Sequence, residues 1–264
     1  MIVKNNRLFT LLLSGLMLFS VFVVAAETLF IAHSSRPDIN YTECTKKSLD
    51  EVIKKGVRVV ECDLAKTTDG VIVLLHPGRP ENRDVTTQSA PGERYVHMTL
   101  QELHQAKPEL MTLEEFLRET PNNIIIALDF KENRGLEEDS ARLVAQSIAA
   151  GRHTNSQFYA LSWNDTVLLK FRQLLPFVKI FPVFLGTAEK NIEYYKAMTA
   201  DGVVLINRVV GAPAAITPDL VAKLKAAGLK LMVLQPQEGP KDVIAKLMLE
   251  FDSILADNVV EYLA

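Results

Sequence analysis

The sequence predicts an α/β fold: a single-domain (β/α)8 TIM barrel with a β-hairpin that extends its second strand at the active-site face. Apolar strands alternate regularly with amphipathic helices over the second half of the chain, which is typical of a parallel sheet covered by helices. Eight strands can be counted in roughly 240 residues, as in a TIM barrel. Ionisable residues also gather where the first three strands end, and barrel active sites are built at such strand ends.

The first predicted elements are a strand at 28–32 and a helix that Thr42 caps and that runs to about Lys55. Gly56 follows that helix, and glycine commonly occupies this position. An open doubly wound sheet is the alternative fold. It would favour a glycine-rich loop after its first strand, and residues 34–41 contain no glycine.

Residues 77–98 are polar, with several prolines and glycines, and predict an irregular insertion. Short helices are expected at 100–105 and 113–118, the second with a capping box of Thr112 and Glu115. The remaining strands are predicted at 123–130, 157–162, 179–184, 202–207, 229–235 and 253–256, and the helices between them at 136–150, 166–175, 188–198, 218–227 and 240–249.

The stretch from Val57 to Pro77 predicts the hairpin. Glu61 and Asp63 alternate along its first arm, so both carboxylates lie on one face of the strand. Asp69-Gly70 between two β-branched runs is a strong turn signal. If these two residues alone form the turn, Asp63 lies opposite His76, and the hairpin brings two carboxylates and an imidazole together.

Residues 1–26 have the pattern of a signal peptide, with Lys4 and Arg7 before an apolar run that ends at Ala25-Ala26. The folded domain is therefore expected at 27–264, in a protein exported to the periplasm or secreted. A retained membrane anchor is the alternative, because the apolar run is nearly long enough to span a bilayer. Without such an anchor, the protein is expected to contact a membrane only through a lipid substrate.

Charge and cysteine content exclude some classes of function. The formal charge is −3, and it becomes about −5 when the basic signal is removed; without long Lys/Arg runs, such a chain is not built to coat nucleic acid. Cys44, predicted in the first helix, and Cys62, in the second strand, are too few for a disulfide scaffold or a structural zinc site.

Five ionisable groups end the first three strands: His33, then Glu61 and Asp63, then Asp129 and Lys131. Three carboxylates without a thiolate suit a hard divalent cation, Mg²⁺ or Ca²⁺. His33 and His76 beside it suit general acid–base chemistry near neutral pH. A metal together with Lys131 would stabilise negative charge, and phosphate is the obvious carrier of that charge.

Several segments carry a family resemblance: Ala32-His33, Glu43, VVECDLAKTTDGVIVLLHP at 59–77, MTLEEFL at 111–117, LDFK at 128–131 and SILADN at 253–258. In this order and spacing, from residue 29 to 260, the chain resembles the glycerophosphodiester phosphodiesterases. The resemblance implies a metal-dependent barrel enzyme that hydrolyses glycerophosphodiesters to glycerol phosphate and an alcohol.

The resemblance also implies a role for each matching residue. His33 and His76 match the acid–base pair, and Lys131 matches the lysine that contacts phosphate. Glu61, Asp63 and Asp129 match the ligands of Mg²⁺ or Ca²⁺. Glu43 matches a glutamate that helps to order the site and approaches the metal.

The chain departs from the family pattern at several positions. The usual His-Arg-Gly is His33-Ser34-Ser35, so the arginine that would grip phosphate is missing, and Arg36 is the candidate substitute. Pro77 and Asp129 stand where the family has Asp and Glu. Residues 234–237 replace an aromatic motif, which leaves Trp163 either to stack on a ligand or simply to pack.

The leading hypothesis is a metal-dependent phosphodiesterase that acts on a small-molecule phosphodiester. A sphingomyelinase D-like or phosphatidylinositol phospholipase C-like enzyme would keep the barrel and change the substrate. A non-catalytic ligand-binding barrel is a hypothesis of another class, motivated by Ser34 and Pro77.

Overall fold

Eight apolar segments pair in parallel, each with the next along the chain, and the first also pairs with the last. The protein, seen in a computed structural model, is described over residues 28–90, 93–131, 135–184, 189–206, 216–234 and 251–262. The strands are β1 (Leu29–Ala32), β2 (Val59–Lys66), β3 (Ile72–Leu74), β4 (Thr86–Ala90), β5 (Glu93–Val96), β6 (Ile125–Phe130), β7 (Phe158–Ser162), β8 (Lys179–Phe184), β9 (Gly202–Ile206), β10 (Lys230–Leu234) and β11 (Ser253–Ala256). The helices are α1 (Lys46–Lys54), α2 (Leu100–Ala106), α3 (Leu113–Glu119), α4 (Leu136–Ala149), α5 (Asp165–Leu174), α6 (Glu189–Ala197) and α7 (Pro218–Ala226).

The barrel closes through β1, which pairs in parallel with β2 on one side and with β11 on the other. Its eight strands are β1, β2 and β6–β11, and β3 pairs with β2 in the antiparallel direction. The predicted (β/α)8 fold is therefore confirmed. The described helices and barrel strands lie within two residues of their predicted bounds, except for α1.

Two apolar layers follow from the alternation of side chains along each strand. Ile31, Val59 and Ala127 belong to a cluster of inward-facing residues that fills the barrel. A larger cluster, which includes Cys62 and Leu128, lies between the strands and the helices. Because side-chain direction along a strand repeats every two residues, residues 61, 63 and 129 continue the inward face of β2 and β6. This places three carboxylates at the open end of the barrel.

The hairpin has a three-residue loop, and its register differs by one residue from the prediction. The Thr67 amide donates to the Val71 carbonyl, and Gly70 has a φ of +88°, so Thr68, Asp69 and Gly70 form the loop. Leu64 therefore pairs with Leu74, and the Leu75 amide donates to the Asp63 carbonyl. The predicted pairing of Asp63 with His76 is wrong. A left-handed glycine that closes a three-residue loop explains the difference.

Helix α1 begins later than predicted. Its N-cap is Thr45, not Thr42: the Thr45 hydroxyl accepts from the Ser48 amide, and the Ser48 hydroxyl closes a capping box. Cys44 lies before the helix with a positive φ of 48° and therefore not in it. Cys44 and Cys62 are both buried free thiols.

The stretch at 77–98 is more ordered than predicted. It contains a short 3₁₀ turn at Pro80–Asn82 and the two-stranded antiparallel sheet of β4 and β5. Val85 and Val96 are fully buried against Leu103 of α2, so a small apolar cluster outside the barrel holds this segment in place. The burial of these two valines was not predicted, because the composition of the segment is mostly polar.

Residues 1–26, predicted as a signal peptide, and the helix predicted at 240–249 lie outside the described residues. Among the helices that the structure does describe, none combines the length and the apolar character needed to cross a membrane.

Candidate active site

Three buried carboxylates meet at the end of β2 and β6. Glu61, Asp63 and Asp129 each offer an oxygen within 4.8 Å of the other two, and each is less than a tenth exposed. The Lys131 ammonium lies 3.0 Å from Asp63 Oδ1 and 2.5 Å from Asp129 Oδ2. Within the described part of the chain, Glu61 Oε1 and Asp129 Oδ1 are buried without a hydrogen-bond partner. The cluster thus holds more negative charge than its lysine neutralises.

The crowding of these charges shifts their pKa values. Burial, and then the neighbouring charge of Asp63, raise the pKa of Glu61 to about 8. Burial alone would raise the pKa of Asp63 as well, but the charge of Lys131, together with those of His76, His33 and Arg79, outweighs burial and holds this pKa well below its usual range. Burial would lower the pKa of Lys131, but the carboxylates of Asp129, Asp63 and Glu61 together raise it. Burial and the crowded negative charge thus favour the protonated form of Glu61.

His33 connects this cluster to the last strand. Its Nδ1 atom lies 2.8 Å from Asp257 Oδ1, and its Nε2 atom lies 3.9 Å from Glu61 Oε2. Burial would lower the pKa of His33, but the hydrogen bond to Asp257 and the nearby carboxylates outweigh it and raise the pKa. An imidazole that donates from Nδ1 to a carboxylate presents Nε2 for proton transfer.

His76 comes from the other side, just beyond the end of β3. The Gly78 amide donates to its Nδ1 atom, which leaves Nε2 for the cavity. Burial lowers the pKa of His76, and the charges of Lys131 and Arg79 lower it further. These effects together outweigh the charge of Asp63, which would raise the pKa. Although the hairpin register differs from the prediction, His76 still reaches the site because the chain leaves the strand after Leu74 and turns inward.

Arg36 and Glu43 are both near the site and already paired. Arg36 Nη2 donates to Asp257 Oδ1 at 2.9 Å, the same oxygen that meets His33. Glu43 accepts from Asn82 Nδ2 at 2.8 Å and forms an ion pair with Arg79 at 3.0 Å. The group of three carboxylates found among the described residues does not include Glu43, so its observed contacts hold the loop after His76.

A cavity of about 470 Å³ opens above these groups. Its described lining includes both histidines, Arg36, Arg79, Asp129, Lys131, Asp257 and Trp163, together with apolar residues that belong to the inward-facing cluster or pack against it: Leu161, Val183, Val204, Ile206, Leu234 and Leu255. Trp163 is 46% exposed and lies at the edge of the cavity. The part of the lining that the structure describes is therefore partly charged and partly apolar.

Two residues that contribute to the site were missed from the sequence. Asp257 follows Leu255 by two residues and shares its inward face, so the strand-end argument that found Asp129 could have found it. Arg79 lies in a loop whose direction no local pattern indicates. It reaches the site through contacts with Glu43 and Ser34, which are distant in sequence.

Comparison with known proteins identifies relatives of this sequence and of this fold. A sequence model of the glycerophosphoryl diester phosphodiesterase family matches residues 36–260. The chain has no match among curated proteins.

Solved structures share the fold at low identity. A Galdieria sulphuraria protein described as a candidate glycerophosphodiester phosphodiesterase is 21% identical, with a TM-score of 0.71 over 91% of this chain and 99% of that one. A glycerophosphodiester phosphodiesterase from Parabacteroides distasonis is 20% identical, with a TM-score of 0.68 over 90% and 97%. An Oleispira antarctica phosphodiesterase, solved with the product sn-glycerol-3-phosphate, is 18% identical, with a TM-score of 0.70 over 89% and 95%. These structures share the barrel, and the family match spans most of the sequence: the chain belongs to the glycerophosphoryl diester phosphodiesterase family.

Proposed function

We propose that this enzyme is a metal-dependent hydrolase that cleaves glycerophosphodiesters, of the glycerophosphocholine type, into glycerol phosphate and an alcohol. The observation that carries the proposal is the position of three buried carboxylates with unbonded oxygens beside two histidines in one cavity. Family membership supports the same reaction class. A structural neighbour that holds sn-glycerol-3-phosphate as its product is consistent with the substrate class.

The residues present fit a divalent cation. Glu61, Asp63 and Asp129 offer only oxygen ligands, which suits Mg²⁺ or Ca²⁺. The unbonded Oε1 of Glu61 and Oδ1 of Asp129, together with the raised pKa of Glu61, are what a site built for an additional positive charge requires. A cation bound here would neutralise phosphoryl oxygens and so favour attack at phosphorus.

The protein's own groups supply the proton transfers. His33, oriented by Asp257, presents Nε2 to the cavity, and His76 presents its ring from the other side. One imidazole takes the proton of the attacking hydroxyl or water, and the other gives a proton to the leaving alkoxide. Lys131 contacts phosphate by the family resemblance, and Arg36 and Trp163 line the same cavity and bind the rest of the substrate.

The decisive experiment is hydrolysis of glycerophosphocholine by the purified protein, with and without EDTA. We expect activity that EDTA abolishes and that Mg²⁺ or Ca²⁺ restores. His33→Ala and His76→Ala should each lose roughly 10²- to 10⁴-fold in kcat, the usual contribution of a general acid or base. Turnover that does not depend on metal, or full activity of His33→Ala, contradicts the mechanism.

A lipid substrate is a second candidate, favoured by the apolar side chains in the lining of the cavity. These side chains could contact an acyl or sphingoid chain, as in a sphingomyelinase D-like or phosphatidylinositol phospholipase C-like enzyme. Comparing kcat/KM for glycerophosphocholine and lysophosphatidylcholine separates the two, since only the second carries an acyl chain. Binding of both without any turnover would instead indicate a ligand-binding barrel.

We also propose that the protein is exported and that its first 26 residues are removed. The basic, apolar and small-residue pattern at the N-terminus supports this. N-terminal sequencing of protein from the periplasm and from the culture medium should give a mature chain that begins at Glu27. An uncut chain in the membrane fraction would indicate an anchor.

A further inference from the structure

Arg79 occupies a position that the sequence did not predict. It lies in the loop after His76, its side chain is only 14% exposed, and it lines the active-site cavity. Its Nη2 atom donates to Ser34 Oγ at 2.6 Å and lies 3.5 Å from His33 Nε2. The guanidinium is thus held directly beside the ring nitrogen that His33 presents for proton transfer.

The contact with Glu43 offers a simpler explanation for Arg79. Arg79 Nη1 lies 3.0 Å from Glu43 Oε2, and Glu43 is only 9% exposed, so Arg79 could serve solely as its counter-ion. That explanation accounts for Nη1 but not for Nη2. The second nitrogen contacts Ser34 and lies beside His33, and both Arg79 and His33 line the cavity.

We propose that Arg79 binds the phosphoryl group of the substrate through the Nη2 side of its guanidinium. An oxygen within hydrogen-bond reach of His33 Nε2 is also close to Arg79 Nη2, because the two nitrogens are 3.5 Å apart. When His33 Nε2 carries a proton, it and Arg79 Nη2 are two donors at a spacing that suits neighbouring oxygens of one phosphoryl group. The assignment of a phosphodiester as the ligand rests on the proposed function.

Ser34 makes this position available to Arg79. Ser34 is fully buried, and its hydroxyl accepts from the guanidinium, so a long side chain at residue 34 would occupy the same space. Arg36, the substitute expected from the sequence, is held by Asp257 instead. The structure therefore offers a guanidinium from the loop after His76 where the first strand end provides none.

A double-mutant cycle separates phosphate binding from the support of Glu43. The variants are Arg79→Met, Glu43→Gln and the pair together, each measured for kcat, KM and melting temperature. If Arg79 binds phosphate, the double variant has a kcat/KM roughly 10- to 100-fold below Glu43→Gln, the loss expected for one charge-assisted hydrogen bond. If Arg79 acts only through Glu43, the double variant and Glu43→Gln have equal kcat/KM, and the proposal is overturned.

Calorimetric titration with inorganic phosphate tests the same contact without turnover. We expect phosphate to bind roughly 10-fold or more weakly to the double variant than to Glu43→Gln. If the wild type hydrolyses no phosphodiester but its phosphate affinity depends on Arg79, the proposed function fails and this inference stands. Equal affinity in the two variants, or no phosphate binding by the wild type, overturns the inference even where hydrolysis is observed.

Discussion

The Lys131 ammonium lies 3.0 Å from Asp63 Oδ1 and also contacts Asp129, two of the three carboxylates buried at this end of the barrel. Because Asp63 is 99% buried, removal of the lysine alone would leave this carboxylate buried without its counter-ion, which is strongly destabilising. The same geometry places the lysine where it can meet a substrate phosphoryl group.

Replacing Lys131 by Met should destabilise the metal-free protein by about 3–5 kcal/mol, because it leaves buried carboxylates without their counter-ion. Thermal unfolding in EDTA measures this loss. Added Mg²⁺ or Ca²⁺ should raise the melting temperature more for Lys131→Met than for the wild type. Lys170→Met is the matched control, since the Lys170–Glu138 pair is exposed and contributes little. Equal losses in the two variants would contradict the prediction.

Replacing Asp257 by Ala should lower kcat by about 10- to 100-fold and change KM less, because His33 loses the acceptor that orients its ring. Asp257→Asn should lose less activity, since its amide oxygen can still accept from Nδ1. Steady-state kinetics on the preferred phosphodiester provide the measurement. An Asp257→Ala variant with wild-type kcat would show that the bond does not matter for catalysis.

Trp163 should affect substrate affinity rather than stability. The side chain is 46% exposed at the edge of the cavity, so Trp163→Ala leaves the melting temperature nearly unchanged. Loss of a stacking surface should raise KM by about 3- to 10-fold. A large fall in melting temperature with unchanged KM would mean that the tryptophan only packs.

His153 should make the protein less stable in mild acid. It is 4% exposed, its Nε2 donates to the Leu117 carbonyl, and its buried Nδ1 has no partner among the described residues. Burial lowers the pKa of His153 below its ordinary value of 6.5. As pH falls below 6.5, the unfolded chain takes up a proton that the folded chain resists, so stability declines by at most about 1.4 kcal/mol per pH unit.

Urea unfolding at pH 7.5 and pH 5.5 tests the role of His153. His153→Gln keeps a donor for the Leu117 carbonyl and should lose part of the pH dependence. His97→Gln removes an exposed histidine and serves as the control. Identical pH dependence in the wild type and His153→Gln would refute the assignment.

The fold and the core of the site followed from local sequence patterns. Strand alternation places Glu61, Asp63 and Asp129 on inward faces, and this alternation depends only on the geometry of each strand. His33 was found for the same reason, at the end of β1. These features could be predicted because they need no knowledge of how distant segments pack.

What could not be predicted depends on contacts between distant segments or on single backbone angles. The positive φ of Gly70 shifted the hairpin register by one residue. Arg79, rather than Arg36, is the arginine proposed to bind phosphate, because Asp257 holds Arg36 and Glu43 holds Arg79 in place. The burial of His153 depends on the carbonyl of Leu117, 36 residues away.

Closure of the barrel by β1 and β11 has a consequence for biosynthesis. The strands are about 220 residues apart in sequence, so β1 is made early and waits for its second neighbour until residues 253–256 have been made. A chain truncated before residue 253 leaves one edge of β1 unpaired and His33 without Asp257. Chains that lack β11 would thus be both inactive and open to aggregation, and catalysis begins only once β11 and Asp257 have joined the barrel.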